Sequence, residues 1–196
     1  MSKKYLETIK SLDGKLYHLT YHQQRLEEVL KSLDGVKTYN LEELLNPPKK
    51  GLYRCRVVYS ESSINIEYIF YKKQFPRTLK LVYNDEIEYS KKYEDRTSLN
   101  ELLTLKASCD DILIVKGGLI SDTSIANIAF FNGREWVTPK RPLLKGTTRA
   151  RYLQTEKIIV QDIFVDDINK FTKVALMNAM IDFDIIAEEN IEDVIC

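Results

Sequence analysis

The chain has 196 residues, of which 44% are hydrophobic and 30% are charged. This is the composition of an ordinary folded protein, and it excludes a disordered or low-complexity chain. The 29 Lys and Arg residues balance the 29 Asp and Glu residues, so net charge gives no reason to expect nucleic acid or an anionic membrane surface as a partner. A small molecule is the better hypothesis.

The cysteine spacing and the hydropathy of the chain indicate the cellular compartment in which the protein is expected. Cys55, Cys109 and Cys196 form no C-x-x-C pair, which argues against a disulfide framework or a zinc ribbon. The N-terminus lacks the continuous apolar stretch of a signal peptide, and no later run approaches the ~20 apolar residues of a membrane span. We therefore expect a cytoplasmic protein with reduced thiols.

Two helices are predicted in the first half of the chain. Apolar residues recur at helical spacing behind Thr20-x-x-Gln23, a capping-box pattern, which predicts an amphipathic helix over 21–32. Asn40-x-x-Glu43 opens a shorter helix that must end before Pro47-Pro48. From Leu52 the apolar period changes to two, which indicates strands.

Strands dominate the remaining predictions. After the strand pair that begins at Leu52, a third strand is predicted over 79–83, and Ser98-x-x-Glu101 opens a helix over 99–107. Gly117-Gly118 and Asn132-Gly133 indicate turns, and Gly146-Thr147-Thr148 precedes a helical pattern near 149–153. The further predicted strands are 112–115, 125–131, 136–138, 158–160, 174–177 and 184–186.

Common catalytic and metal motifs are missing from the sequence. It contains no G-x-x-x-x-G-K-[ST], G-x-G-x-x-G or G-x-S-x-G, and His18-x-x-x-His22 lacks the Glu of a zincin helix. We expect these histidines to be solvated or half-buried around a helix start, without a metal or a catalytic role.

A scattered set of residues could together bind pyridoxal phosphate (PLP). Thr147-Thr148 at a helix start and the distant Arg25 could bind a phosphate. The Asp122 carboxylate could hold a ring nitrogen protonated. In Lys91-Lys92, one lysine could form a Schiff base, helped by the neighbouring cation.

Four blocks in the same order resemble the class IV aminotransferases, the fold-type-IV PLP enzymes. LETIKSLDGKLYHLTYHQQRL resembles FET-x-R…H-x-x-RL, and KYEDR resembles the segment with the Schiff-base lysine. VKGGLISDTSIANIAFFNGREWVTP is similar to the stretch dG-x-[IV]-x-E-x-s-x-x-N-[IL]-f…TP, and PLLKGTTRARYL resembles L-x-G-[IT]-T-R. The resemblance covers nearly the whole chain.

The resemblance assigns the Schiff-base role to one of two adjacent lysines. Lys92 stands where the family lysine stands relative to the following helix, and Lys91 is the alternative. Arg96 could reach a substrate carboxylate or pair with Glu94.

The resemblance also implies the other cofactor-binding residues. Arg25 would bind the phosphate from one side, and Thr147 and Thr148 would bind it through backbone and hydroxyl donors. Asp122 occupies the position of the family glutamate that holds the pyridine nitrogen, with a side chain one methylene shorter. Asn127 could orient a ligand or satisfy the backbone.

The fold that follows is α+β with two lobes, like that of D-amino acid aminotransferase. A small α/β lobe is expected over residues 1–84 and a strand-rich, barrel-like PLP-binding lobe over 85–196. The family forms homodimers. Its members usually begin earlier than this chain does, with a strand and a loop that help wall the substrate pocket, so the resemblance constrains the choice of substrate only weakly.

The leading functional hypothesis is a 4-amino-4-deoxychorismate lyase that releases 4-aminobenzoate and pyruvate for folate synthesis. KGTTR, and a KYEDR segment without the G-G-N-Y run of branched-chain enzymes, favour it. The alternative is a branched-chain or D-amino acid aminotransferase using the same residues. A third hypothesis is a non-catalytic member of the fold.

Overall fold

The computed structural model describes residues 3–33, 38–73, 76–188 and 191–195, so Cys196 lies outside the described residues. The described residues within 1–73 and 91–95 form one compact unit, and those within 74–90 and 96–196 form a second. The α-helices of the described residues are α1 (Leu19–Lys31), α2 (Leu41–Leu44), α3 (Thr97–Leu103) and α4 (Thr147–Gln154). No helix of this described part is long and apolar enough to cross a membrane.

The first unit is an antiparallel sheet with helix α1 packed on it. Its strands are β1 (Tyr5–Leu12), β2 (Lys15–Leu16), β3 (Leu52–Tyr59) and β4 (Ile64–Phe70), and they lie in the order β2-β1-β3-β4. Leu26 and Leu30 of α1 are buried in one cluster with Ile9 of β1 and Val57 of β3. Burial of this apolar face, at about 25 cal/mol per Å², holds the helix on the sheet.

Helix α1 begins two residues earlier than predicted. His18 takes a left-handed conformation with φ 55°, and the helix starts at Leu19 with no side-chain cap. Thr20 is therefore already inside the helix, and the predicted capping box is wrong. The prediction for α2 is confirmed, since the Asn40 side chain accepts a hydrogen bond from the Glu42 N–H at 3.1 Å.

Strand β1 was not predicted, although it lies at the centre of the first unit. Its odd-numbered residues are buried, but Glu7 and Ser11 are polar, so the apolar alternation is broken. Residues 92–94 run beside it. The Leu6 N–H donates to the Lys92 carbonyl at 2.8 Å, and the Glu94 N–H donates to the Lys4 carbonyl at 2.9 Å.

The second unit is a larger mixed sheet. Six strands lie in the order β10-β9-β8-β7-β6-β5, while β11 pairs with both β8 and β12. These strands are β5 (Leu79–Tyr83), β6 (Asp111–Lys116), β7 (Leu119–Thr123), β8 (Asn127–Phe131), β9 (Trp136–Pro139), β10 (Ile159–Gln161), β11 (Lys173–Asn178) and β12 (Asp182–Ala187). The predicted α+β class is confirmed.

Two strand predictions in the second unit need adjustment. β5 pairs in parallel with β6, so it belongs to the second sheet and does not extend the strand pair of the first. The lobe limits 1–84 and 85–196 stay a prediction. The strand predicted from Ile125 begins at Asn127, because the Thr123 hydroxyl accepts the N–H groups of Ile125 and Ala126 and forms a turn there.

Candidate active site

A buried carboxylate, Asp122, is the centre of the candidate site in the second unit. Its Oδ1 accepts a hydrogen bond from Asn127 Nδ2 at 2.8 Å, and its Oδ2 accepts one from the Leu144 N–H at 2.9 Å. Asp122 on β7 and Asn127 on β8 are paired across the sheet, so the backbone register itself brings the two side chains together. Asn127 Nδ2 also donates to the Leu144 carbonyl at 2.8 Å.

Burial raises the pKa of Asp122 to about 6, although the Leu144 N–H, the Asn127 side chain and the Arg149 charge act in the opposite direction. The carboxylate is therefore mostly ionised at neutral pH, in a place where its charge is costly. A cationic partner placed there would be bound favourably.

Gly146, which directly precedes helix α4, packs against Asn127, the residue that donates a hydrogen bond to the Asp122 carboxylate. A Cβ added to Gly146 would overlap Asn127 Oδ1 and lie 3.2 Å from Asn127 Cγ. The backbone of Gly146 has an ordinary φ of −69°, so glycine is required here by the close approach and not by conformation. This contact holds Asn127 against the helix start.

The N-terminal turn of α4 is buried and suits an anion. Thr147, Thr148 and Arg149 are all buried, and the first intrahelical bond runs from the Ala150 N–H to the Gly146 carbonyl. The N–H groups before Ala150 have no intrahelical acceptor, and the helix dipole places partial positive charge at this end.

Arg149 belongs to this site but was not proposed from the sequence. Its Nη2 donates to the Pro139 carbonyl at 2.9 Å, and its Nε is buried with no hydrogen-bond partner among the described residues. Burial lowers the pKa of Arg149, while the Asp122 charge opposes that shift. The arginine that closes the KGTTR block was the available signal.

A second buried carboxylate, Glu7, organises the first unit. Arg25 Nε donates to Glu7 Oε1 at 2.7 Å, and Arg25 Nη2 donates to Glu7 Oε2 at 2.5 Å. His22 Nδ1 lies 2.6 Å from the same Oε2. We call these three residues the Glu7 cluster. Sequence reasoning missed Glu7, whose only signal was its place in the LETIK block.

The ionisation states within the Glu7 cluster follow from burial and charge. Burial alone would raise the pKa of Glu7, but the Arg25 charge and the hydrogen bonds from His22 and Arg25 lower it to about 2. Burial lowers the pKa of His22, with help from the charges of Arg25 and Lys92 and against the effect of Glu7. The carboxylate is thus ionised and can only accept, so a neutral His22 must donate through Nδ1–H.

One of the two histidines differs from its predicted environment. His22 is 1% exposed and hydrogen-bonded, so the solvated or half-buried placement was wrong for it. The reason is that α1 starts at Leu19, which directs His22 at the sheet. His18 is exposed at the helix start, as expected.

Both candidate lysines lie in the short segment beside β1 and are half-buried. The Leu6 N–H donates a hydrogen bond to the Lys92 carbonyl. The charge of the Lys92 side chain lowers the pKa of His22 in the Glu7 cluster. Lys91 Nζ lies 5.9 Å from the centroid of the Tyr5 ring. The choice of Lys92 stays a prediction.

Arg96, the more loosely predicted residue, donates from Nη2 to the Ser124 carbonyl at 2.8 Å. Glu94, its suggested partner, pairs with Arg56 at 3.1 Å.

The predicted residues thus group within the two units. The first unit holds Arg25 in the Glu7 cluster, with Lys92 in the segment bound to β1. The second unit collects the others around Gly146: Asp122, Asn127, Thr147 and Thr148.

A cavity of about 480 Å³ lies in the second unit beside Ser121 and Leu143, the sequence neighbours of Asp122 and Leu144. This volume is within the range of small-molecule sites. Lys116 on its wall is already engaged, since it donates to the Ile87 carbonyl at 2.8 Å.

Comparison with known proteins places these residues in a family. Residues 99–187 match the family described as amino-transferase class IV. An uncharacterised protein of Haemophilus influenzae is 39% identical over 180 residues, which are 89% of this chain and 96% of that protein. A crystal structure from Haemophilus somnus is 36% identical, covers 92% of this chain and 97% of its own, and has a TM-score of 0.86. The chain belongs to the class IV aminotransferase family.

The fold is that of fold-type-IV enzymes. A hypothetical aminotransferase from Mycobacterium tuberculosis in its PLP-bound form superimposes with a TM-score of 0.77, over 97% of this chain and 85% of that one, at 13% identity. The H. somnus protein is provisionally described as a 4-amino-4-deoxychorismate lyase. This member of the class IV aminotransferase family thus shares its fold with a PLP-bound structure.

Family members bind PLP, and the chemistry of the buried groups fits this cofactor. Asp122 is a buried hydrogen-bond acceptor, held by two N–H donors, and a protonated ring nitrogen is a donor that would suit it. The start of α4 offers N–H groups to a phosphate, and Gly146 carries no side chain that would cover them.

Proposed function

We propose that this class IV aminotransferase family member is a PLP-dependent 4-amino-4-deoxychorismate lyase. The observation that carries PLP dependence is the buried Asp122 carboxylate, which two N–H donors hold in place and to which no cation of the described part of the chain is hydrogen-bonded. The relative from H. somnus, 36% identical over nearly the full length of both chains, supports the lyase reaction through its provisional name.

The residues divide the work of holding the cofactor. When bound, PLP supplies an electron sink conjugated to the substrate amine. Asp122 would keep the pyridine nitrogen protonated, while Thr147 and Thr148 would bind the phosphate together with Arg25. Lys92 would form the covalent link through its Nζ, and Asn127 would hold Asp122 in orientation.

Lys92 is also the group that would move protons. As a free amine, Lys92 Nζ would accept the proton from the ring carbon that bears nitrogen. The C–O bond to the enolpyruvyl group then breaks and the ring becomes aromatic. Lys92 would return a proton to the methylene carbon of the three-carbon fragment, which leaves as pyruvate. The reaction needs no oxidant, reductant or amino acceptor.

The test separates the lyase from an aminotransferase. Purified PLP-loaded protein is given common L- and D-amino acids without a 2-oxo acid, and separately 4-amino-4-deoxychorismate. We expect an unchanged visible spectrum with the amino acids, and one 4-aminobenzoate and one pyruvate per substrate consumed.

Two other outcomes would reject the proposal. Rapid, stoichiometric transfer of an amino group to the cofactor from an ordinary amino acid, with no 4-aminobenzoate formed, would assign an aminotransferase. Failure to take up PLP would assign a non-catalytic member of the fold. The proposal also implies a cytoplasmic homodimer in folate synthesis, and light scattering of the purified protein tests the dimer.

A further inference from the structure

The Glu7 cluster places a buried, charged carboxylate at the centre of a small sheet, and burying such a charge lowers the stability of the fold unless it is compensated. Glu7 is 0% exposed and His22 is 1% exposed. Taking these groups out of water is repaid only where the geometry is good and the remaining lone pairs are satisfied. Here Glu7 accepts two hydrogen bonds from Arg25 and one from His22.

The bidentate contact fixes the Arg25 guanidinium in one orientation. Nε and Nη2 face Glu7, so the plane of the guanidinium and the direction of Nη1 are both determined by the carboxylate. The His22 N–H binds the same Oε2 as Nη2 and restricts rotation of the carboxylate.

The same strand also fixes the lysine segment. Glu7 follows Leu6, whose N–H holds the Lys92 carbonyl, and Tyr5 pairs with Tyr93. Strand β1 is therefore the common frame for Lys92 and Arg25. A substitution at Glu7 therefore removes hydrogen bonds that orient the Arg25 guanidinium. It leaves in place the backbone hydrogen bond between Leu6 and Lys92.

We propose that Glu7 and His22 are positioning residues that set where the Arg25 guanidinium meets the phosphate of PLP, an inference that rests on the PLP dependence proposed above. Glu7 does this directly through two hydrogen bonds. His22 does it indirectly, as a donor that locks the carboxylate. Neither residue touches the cofactor.

The test compares PLP with pyridoxal, which lacks the phosphate. Equilibrium titration of both ligands into the apoprotein gives a ratio of affinities that a general loss of structure would not change. We expect Glu7→Gln to weaken PLP binding by about 10- to 100-fold, the effect of losing a hydrogen bond between charged groups, and pyridoxal binding by less than about threefold. Glu67→Gln is the matched control, because this exposed residue pairs with Arg56 on the same sheet and its loss should change neither affinity.

A second pair of variants covers the case in which Glu7→Gln does not fold. His22→Asn keeps an N–H donor for Glu7, whereas His22→Leu removes it at similar volume. We expect His22→Leu to lower PLP affinity about three- to tenfold with pyridoxal unchanged, and His22→Asn to restore most of the loss.

The outcomes separate this inference from the proposed reaction. Equal losses for PLP and pyridoxal, or an unchanged PLP affinity in a folded Glu7→Gln or His22→Leu variant, would overturn the positioning role. A wild-type protein that binds PLP but forms no 4-aminobenzoate would remove the lyase reaction and leave the positioning role intact. Absence of PLP binding by the wild type would overturn both.

Discussion

Replacing Gly146 by alanine should break the support of the buried Asp122 carboxylate. The added methyl would overlap Asn127 Oδ1, and the three atoms nearest to it all belong to Asn127. Asn127 must therefore rotate away, which breaks the hydrogen bonds of its Nδ2 to Asp122 Oδ1 and to the Leu144 carbonyl. The backbone of Gly146 is unstrained for alanine, so the whole effect comes from this contact.

The magnitude follows from the two bonds that are lost. A hydrogen bond to a charged group contributes about 1.5–3 kcal/mol and a neutral one about 0.5–1.5 kcal/mol. Gly146→Ala should therefore lower the free energy of unfolding by about 2–4.5 kcal/mol at pH 7. Asn127 is one of the groups that lower the pKa of Asp122, so this pKa should also rise above about 6.

Urea unfolding of Gly146→Ala, Asn127→Ala and the double variant measures this coupling. When residue 127 is alanine there is no amide to displace, so Gly146→Ala should then cost less than about 1 kcal/mol. Additive effects of the two substitutions would show that the contact between residues 146 and 127 is not the cause, and would refute the reasoning.

Lys92→Ala should abolish both the visible absorption of bound PLP and its trapping by borohydride, while Lys91→Ala should keep both; the reverse result would move the covalent link by one residue. Asp122→Asn should still bind PLP but lower kcat about 100-fold or more, because it removes a preorganised charge, whereas Asp122→Glu should lose less; an unchanged kcat in Asp122→Asn would remove that residue from the site. Arg25→Ala should weaken PLP binding by about 1.5–3 kcal/mol, measured by equilibrium titration, and an unchanged affinity would contradict its role. The pKa of Glu7, lowered from 4.5 to about 2, should contribute about 3 kcal/mol of stability that is complete above pH 4.5 and lost as the pH falls toward 2. The difference in unfolding free energy between wild type and Glu7→Gln should accordingly shrink by about 2 kcal/mol from pH 7 to pH 3, and a constant difference would contradict the assigned pKa.

Features of the fold that depend on local chemistry could be predicted from the sequence. Asn40 caps α2 through its own side chain, and Gly117-Gly118 forms a turn because both residues take positive φ. Strand β1 was missed because Glu7 and Ser11 occupy buried positions in its alternation. The pairing of β5 with β6 was missed because partners far apart in sequence leave no local pattern.

The same distinction, between features with a local sequence signal and features that depend on distant contacts, applies to the candidate site. Asp122 and Thr148 were recognisable because their blocks stand in a fixed order in the sequence. The buried state of Glu7 and His22 depends on how α1 meets β1, and the left-handed His18 that decides where α1 begins has no signal in the Thr20-x-x-Gln23 pattern. The residues proposed to touch the cofactor were thus easier to find from the sequence than the residues that hold them in place.

The two buried carboxylates differ in a way that explains their separate roles. Glu7 has an arginine in bidentate contact, and the pKa of Glu7 falls to about 2 despite burial. Asp122 is held by an amide and a backbone N–H, which are neutral, and burial raises its pKa to about 6. The charge of Glu7 is therefore already balanced within the protein, so a further cation would gain little from it. Among the described residues no cation is hydrogen-bonded to Asp122, and the Arg149 charge only partly offsets the effect of burial. A protonated ring nitrogen would therefore gain most by pairing with Asp122, and this difference supports the proposed roles of Asp122 at the cofactor and of Glu7 in the framework that holds Arg25.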